Sequence, residues 1–195
     1  MCGIAGFYKN NEKLSHSLAC EISKKMSSVL SHRGPDSLNY WSSKEDDIFF
    51  SHSRLSILDL SKNGNQPLIS KSKRLIITYN GEIYNHFELR KKIENQKKVF
   101  WKSSCDTETL LESIELFGLE QTLNIAEGMF AFAIWDSKLK KLHLARDRFG
   151  QKPLYYGFIN NSLVFGSELK ALKSFPNFNN QISNTAISFF LNYSY

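Results

Sequence analysis

Met129-Phe130-Ala131-Phe132-Ala133-Ile134-Trp135 is apolar at every position. A strand of this composition has both faces covered, which a single sheet with one wet face does not provide. It predicts layers of structure on both sides.

Working outward, the C-terminal side predicts strands at residues 142–145, 154–158 and 162–165, with Asn160-Asn161 as a hairpin turn, and a short helix at 168–172. On the N-terminal side, Leu110, Leu111, Ile114 and Phe117 recur at helical spacing after Asp106, and Gly118 stands where that helix would end. Before it, a strand at 75–79 runs into Asn80-Gly81, a pair suited to a sharp turn with positive φ, and a basic helix follows at 86–95. Strands at 38–41 and 48–57 flank an acidic turn at 44–47, and a glycine- and asparagine-containing loop spans 62–67. Leu14, Leu18, Ile22, Met26, Val29 and Leu30 mark an amphipathic helix over 15–31, which Gly34-Pro35 stops. Residues 4–8 read as a first strand.

The 195 residues suffice for one full-sized domain with a sizeable core. The net charge of +6 comes from short, scattered lysine and arginine groups with no aromatic interleaving. That pattern reads as solvated surface, so no nucleic-acid partner is expected. Cys2, Cys20 and Cys105 form no CxxC and cannot all pair, which argues against a disulfide framework or structural zinc and for a reducing, cytoplasmic compartment. No stretch approaches 18 apolar residues, and Lys9-Asn10-Asn11 turns polar too early for a signal peptide, so no membrane partner is expected. The aromatic-rich residues 186–195 would be an exposed patch by themselves, which predicts that the chain is the first part of something longer.

Met1-Cys2-Gly3-Ile4-Ala5-Gly6-Phe7 adds a chemical possibility. Once the initiator methionine is trimmed, Cys2 carries both a thiol and a free α-amine. Their ordinary pKa values, about 8.5 and about 7.7 to 8.0, let a proton pass between them at a cost of about 1 kcal/mol. By itself Cys2 reads as a small residue that merely follows Met1, and the support has to come from the rest of the chain.

Several stretches together carry a resemblance: Met1-Cys2-Gly3-Ile4-Ala5-Gly6, His32-Arg33-Gly34-Pro35-Asp36, Arg54-Leu55-Ser56-Ile57, Asn80-Gly81-Glu82-Ile83-Tyr84-Asn85, Cys105-Asp106-Thr107-Glu108, Gly128-Met129-Phe130-Ala131-Phe132 and Arg146-Asp147-Arg148-Phe149-Gly150. In order and spacing the chain resembles the class II glutamine amidotransferase domain of glutamine-hydrolysing asparagine synthetases, over roughly residues 2–172. Sugar-phosphate and phosphoribosyl amidotransferases share the N-terminal cysteine and the Asn-Gly pair, whereas residues 32–36 and 146–150 are similar to the asparagine synthetase branch. The implied fold is α+β, a four-layer αββα sandwich of two antiparallel sheets between helical layers, as in N-terminal nucleophile hydrolases.

The resemblance implies hydrolysis of glutamine to glutamate and ammonia. Cys2 would attack the amide carbon, its α-amine would carry the proton, and water would resolve the thioester. The Asn80 side-chain amide and the Gly81 N–H would stabilise the oxyanion. Arg54 would anchor the α-carboxylate, Asp106 with Glu82 the α-ammonium, and backbone groups at Leu55 and Ile57 would complete the grip. Each residue also has a plain structural reading. Asn80-Gly81 is a tight turn, Asp106 an acid favoured at a helix start, and Arg54 a surface-paired strand residue. Residues 32–36 and 146–150 are expected to be structural loops with internally paired charges, and His32 and His52 to be structural rather than bases. Cys105 departs from the serine often found before this aspartate.

No cofactor is implied for the glutaminase step. ATP and Mg belong to a synthetase domain, whose glycine-rich phosphate loop has no counterpart here. Residues 173–195 then read as the start of a linker towards that domain. The partners implied are glutamine and a synthetase domain or subunit, with a homodimer left open. The rival expectation is a non-catalytic glutamine-binding or assembly module that turns over only with that partner.

Overall fold

The computed structural model describes residues 1–9, 14–43, 45, 47–57 and 59–194. Asn10-Asn11, two positions of the acidic turn, Lys44 and Asp46, and the terminal Tyr195 lie outside them. In chain order the elements are β1 Gly3–Tyr8, α1 His16–Ser28, β2 Ser37–Ser43, β3 Ile48–Arg54, β4 Leu68–Ile69, β5 Leu75–Ile83, α2 His86–Glu94, α3 Asp106–Phe117, α4 Leu119–Ile125, β6 Gly128–Asp136, β7 Lys141–Arg146, β8 Tyr155–Ile159, β9 Ser162–Gly166, α5 Leu169–Lys173 and α6 Asn184–Tyr193.

The strands form two antiparallel sheets, ordered β2-β3-β1-β9-β8 and β4-β5-β6-β7. Three apolar clusters fill the spaces between four layers. Phe7, Phe49 and Val164 pack under α1 and α5, with Met26, Leu30 and Leu172 from the helical side. Tyr79, Phe130, Phe132 and Ile134 pack against Leu89, Leu110, Leu111 and Ile114 of α2 and α3. Ile48, Phe50 and Phe165 of one sheet meet Ile76, Ala133 and Trp135 of the other. Strand alternation explains the uninterrupted apolar run: Phe130, Phe132 and Ile134 face the helices, and Ala133 and Trp135 face the opposing sheet. This is the expected αββα sandwich. Phe132 has no exposed surface. Phe132→Ala is expected to cost about 3–5 kcal/mol in a denaturant titration, through lost burial and the cavity left behind.

Asn160 and Asn161 both adopt positive φ, 48° and 64°, and join β8 to β9 as expected. Gly118 ends α3 with φ of 85°. It also opens α4, which the sequence reading did not anticipate.

Asn80-Gly81 corrects the sequence reading. Neither residue has positive φ, and neither turns the chain. Both continue β5, opposite Ala131 and Phe130 of β6. Glycine is required at 81 by close approach, since a Cβ there would lie 2.4 Å from the Met129 carbonyl oxygen. The turn comes afterwards. Tyr84 N–H donates to the Glu127 carbonyl at 2.7 Å, and the Asn85 amide bridges Ile125 O and Glu127 N–H.

Two other boundaries are shorter than expected. Helix α1, capped by the Ser15 hydroxyl on Leu18 N–H, stops at Ser28 and gives way to a 3₁₀ turn at Ser31–Arg33. Strand β3 ends at Arg54 because the next N–H groups leave the sheet: Leu55 N–H points to Cys2 Sγ and Ser56 N–H to Asp36 Oδ2. No helix among the described residues is long and apolar enough to cross a membrane.

Candidate active site

The two sheets are joined by polar contacts beside the N-terminus. Thr78 Oγ1 donates to the Ser51 carbonyl at 3.2 Å, and His52 Nε2 lies 3.1 Å from the Tyr79 carbonyl. A carbonyl only accepts, so Nε2 carries the imidazole proton. Burial and the Arg54 charge outweigh that hydrogen bond and hold His52 at a pKa of about 4. It is neutral at pH 7 and ties β3 to β5 between the sheets, with its buried Nδ1 unpartnered among the described residues.

Cys2 lies just before β1, with Sγ 3.4 Å from Leu55 N and 3.5 Å from Leu55 O. Burial pushes its thiol up, while the Leu55 N–H, the chain's α-amine and Arg54 pull it down. Its carbonyl accepts from Arg33 Nε at 3.0 Å, and the start of β1 is fixed by Ile4 N–H donating to Ser167 Oγ. Arg33 is itself held by Glu168, which also contacts His32 and Lys170. Burial raises the Glu168 carboxyl, but hydrogen bonds from Lys170, Arg33 and His32 outweigh it and bring the pKa to about 2.

A depressed carboxyl contributes stability that is present above its unfolded pKa and is lost as pH falls through the folded one. Glu168→Gln is therefore expected to lower the thermal midpoint at neutral pH. It should also flatten the acid loss of stability between its ordinary value of 4.5 and about 2. Melting curves of both proteins across that range check it.

Cys2, Arg54, Leu55, Ile57, Gly81, Glu82 and Asp106 line one open cleft with an empty volume of about 470 Å³. Asn80 is buried next to Gly81, and its Nδ2 has no partner among the described residues. The order of β3, β5 and α3 around the cleft brings these residues together from widely separated positions.

Asp106 is the first residue of α3. Its Oδ2 accepts from the Tyr79 hydroxyl at 2.7 Å and from Ile83 N–H at 2.8 Å. Burial still pushes its carboxyl above the ordinary range, against the pull of Tyr79, Ile83 and His86. Arg54 differs from the simple expectation of a fork open to the cleft. Its Nη1 donates to Ser61 O and Asn65 Oδ1, both at 2.8 Å, and its Nη2 donates to Asp59 O. The guanidinium thus holds the 59–65 loop as the wall of the cleft.

In the two motif loops the charged side chains do not pair with one another as expected: His32 and Arg33 pair with Glu168, and Asp36, Arg146 and Asp147 bond to backbone groups. Asp36 Oδ2 anchors Ser56 N–H at 2.7 Å. Asp147 accepts from Phe130, Phe149, Gln151 and Lys152 N–H, and Arg146 donates to the carbonyls of Gly150 and Lys152. The sequence reading missed Gln66, Tyr79 and Thr107 as cleft residues. The signals available were neighbours: Tyr79 precedes Asn80 and Thr107 follows Asp106 in the Cys105-Asp106-Thr107-Glu108 motif, while Gln66 carried none.

The family model of the glutamine amidotransferase domain matches residues 1–195. The chain belongs to this family. The amidotransferase domain is 37% identical over 190 residues to asparagine synthetase [glutamine-hydrolyzing] 3 of Bacillus subtilis (strain 168), covering 96% of this chain and 30% of that protein. It is 39% identical to asparagine synthetase [glutamine-hydrolyzing] 2 of the same organism, covering 90% and 23%, and 38% identical to asparagine synthetase [glutamine-hydrolyzing] 3 of Arabidopsis thaliana, covering 88% and 28%. The amidotransferase domain therefore spans less than a third of the length of these relatives. Among solved structures it is similar to glutamine phosphoribosylpyrophosphate amidotransferase from B. subtilis complexed with ADP and GMP. The TM-score is 0.73 at 22% identity, over 89% of this chain and 43% of that one. That likeness concerns the fold alone, two antiparallel sheets between helical layers.

Proposed function

We propose that residues 2–172 hydrolyse glutamine to glutamate and ammonia, with Cys2 as nucleophile, and that the ammonia feeds an asparagine-synthetase-type amide-forming reaction. The observation that carries this reading is the convergence of the Cys2 thiol, Gly81, Glu82 and Asp106 on one cleft. While Met1 is attached, the Cys2 nitrogen is a peptide nitrogen. Removal of Met1 frees that nitrogen as a base on the same residue.

The freed amine takes the thiol proton as Sγ bonds to the glutamine amide carbon. Negative charge then develops on the amide oxygen, where the Asn80 Nδ2 and the Gly81 N–H supply donors. The ammonium form of the α-amine returns the proton to the departing nitrogen, the C–N bond breaks and ammonia leaves. Water, deprotonated by the same amine, hydrolyses the γ-glutamyl thioester and regenerates the thiol. Asp106 and Glu82 bind the substrate's α-ammonium. Arg54 and the backbone at Leu55 and Ile57 bind its α-carboxylate.

Residues 173–195 begin a linker in this reading, and ATP and Mg serve the synthetase partner. The three free cysteines suit a reducing cytoplasm, where Cys2 stays a thiol. One observation favours the second reading, a glutamine-binding module switched on by its partner: Arg54 is engaged by the 59–65 loop. Glutamate and ammonia release by the Met1-free chain decides between them. Turnover supports the glutaminase, and glutamine binding without turnover supports the partner-dependent module.

A further inference from the structure

Tyr79 is held at three points, each by a different element. Its N–H donates to Gln66 Oε1 at 2.7 Å, its carbonyl accepts from His52 Nε2, and its hydroxyl donates to Asp106 Oδ2 at 2.7 Å. Gln66 Nε2 continues the connection to Thr107 Oγ1 in the first turn of α3, at 3.3 Å. The phenol is the donor throughout, because burial and the neighbouring Asp106 push its ionisation well above the ordinary range. A buried ring tied to both sheets and to α3 has little freedom to turn.

We propose that Tyr79 is a positioning residue for recognition of the substrate's α-ammonium: with Ile83 N–H it fixes Oδ2 of Asp106, stabilises the carboxylate charge and holds the group where it lines the cleft. This rests on the reading of the cleft as a glutamine site. The bonds from Tyr79 and Ile83 both fall on Oδ2, and the Thr107 N–H adds a backbone bond to the same carboxylate, so its orientation is fixed at the edge of the cleft. Burial alone favours the protonated acid, which would offer an incoming ammonium no charge. The groups that face Asp106 are Tyr79 and Glu82 from β5, His86 from α2, Cys2 before β1, Arg54 at the end of β3 and Cys105 beside it. Glu82 carries like charge, the two thiols are neutral when protonated, and Arg54 is engaged by the 59–65 loop. His86 acts on the carboxylate through space, and the tyrosine hydroxyl is the side-chain donor hydrogen-bonded to it.

Tyr79→Phe removes only that donor. The ring and the two backbone bonds to Gln66 and His52 remain, so the variant keeps the fold. Loss of a hydrogen bond to a charged group is expected to raise KM for glutamine about 10-fold or more, with kcat changed far less. The Asp106 carboxyl should titrate higher by about one pH unit or more, and the acid limb of kcat/KM should move up with it. The sign follows from ammonium binding, which requires the ionised acid and is lost as pH falls through the raised value.

The test is glutamine kinetics across the acid limb for the full chain and for Tyr79→Phe, beside a ¹³C NMR titration of the Asp106 carboxyl assigned with Asp106→Asn. A raised carboxyl midpoint together with a raised KM supports the assignment. An unchanged Asp106 midpoint overturns it, as does a fall in kcat with KM and the acid limb unmoved. Wild-type protein that released no ammonia would defeat the glutaminase reading, while the carboxyl titration would still judge the Tyr79 clamp.

Discussion

Cys2→Ala is expected to abolish ammonia release from glutamine, by about 10,000-fold or more, while the protein stays folded and still binds glutamine. The thiol is the atom that forms the bond to the substrate carbon, and the mechanism offers no second nucleophile. Its contacts are local, to the N–H and carbonyl of Leu55, so its removal should cost about 1 kcal/mol or less of stability. Ammonia assay, glutamine-binding calorimetry and a thermal melt of the variant separate loss of chemistry from loss of structure. Residual turnover near the wild-type rate would move the nucleophile elsewhere.

The second large effect is expected at Asn80. Its Nδ2 is buried without a partner among the described residues, an arrangement that ordinarily costs free energy and calls for a reason. In the proposed mechanism that reason is the oxyanion, a charge present only during the reaction. Asn80→Ala should therefore lower kcat about 100- to 1,000-fold, with KM little changed, because the donor acts in the transition state. Since Nδ2 makes no bond within the described protein, deleting it breaks none of the fold's own bonds through that nitrogen. A rise in KM with unchanged kcat would instead assign Asn80 to substrate binding.

The layered fold was legible because one strand carries it. Residues 129–135 could not satisfy both faces with a single sheet, and the two faces indeed meet α2 and α3 on one side and the opposing sheet on the other. Local chemistry was also legible where a single residue decides the backbone, as at Asn160-Asn161 and Gly118. Asn80-Gly81 failed for an instructive reason. The same dipeptide suits a turn by local preference, but pairing with Ala131 and Phe130 keeps it extended, and glycine serves there to admit the Met129 carbonyl.

For the site, Cys2, Arg54, Leu55, Ile57, Gly81, Glu82 and Asp106 line one cleft, with Asn80 buried beside Gly81, because β3, β5 and α3 bring these positions together. What the sequence hid was the support behind them. Gln66 reaches Tyr79 and Thr107 from a loop of no regular period, and Arg54 reaches back to its own following loop. Such contacts follow from how segments distant in sequence pack, and no local pattern announces them. Glu168 is the same case: it steadies the Cys2 carbonyl through Arg33 across a separation of 135 residues.

Met1-free protein quenched in acid during glutamine turnover should yield an N-terminal peptide whose mass includes a γ-glutamyl group on Cys2, absent from Cys2→Ala and lost as the substrate is consumed. Steady ammonia release with no adduct on Cys2, or turnover by protein that retains Met1, would rule out Cys2 as the N-terminal nucleophile.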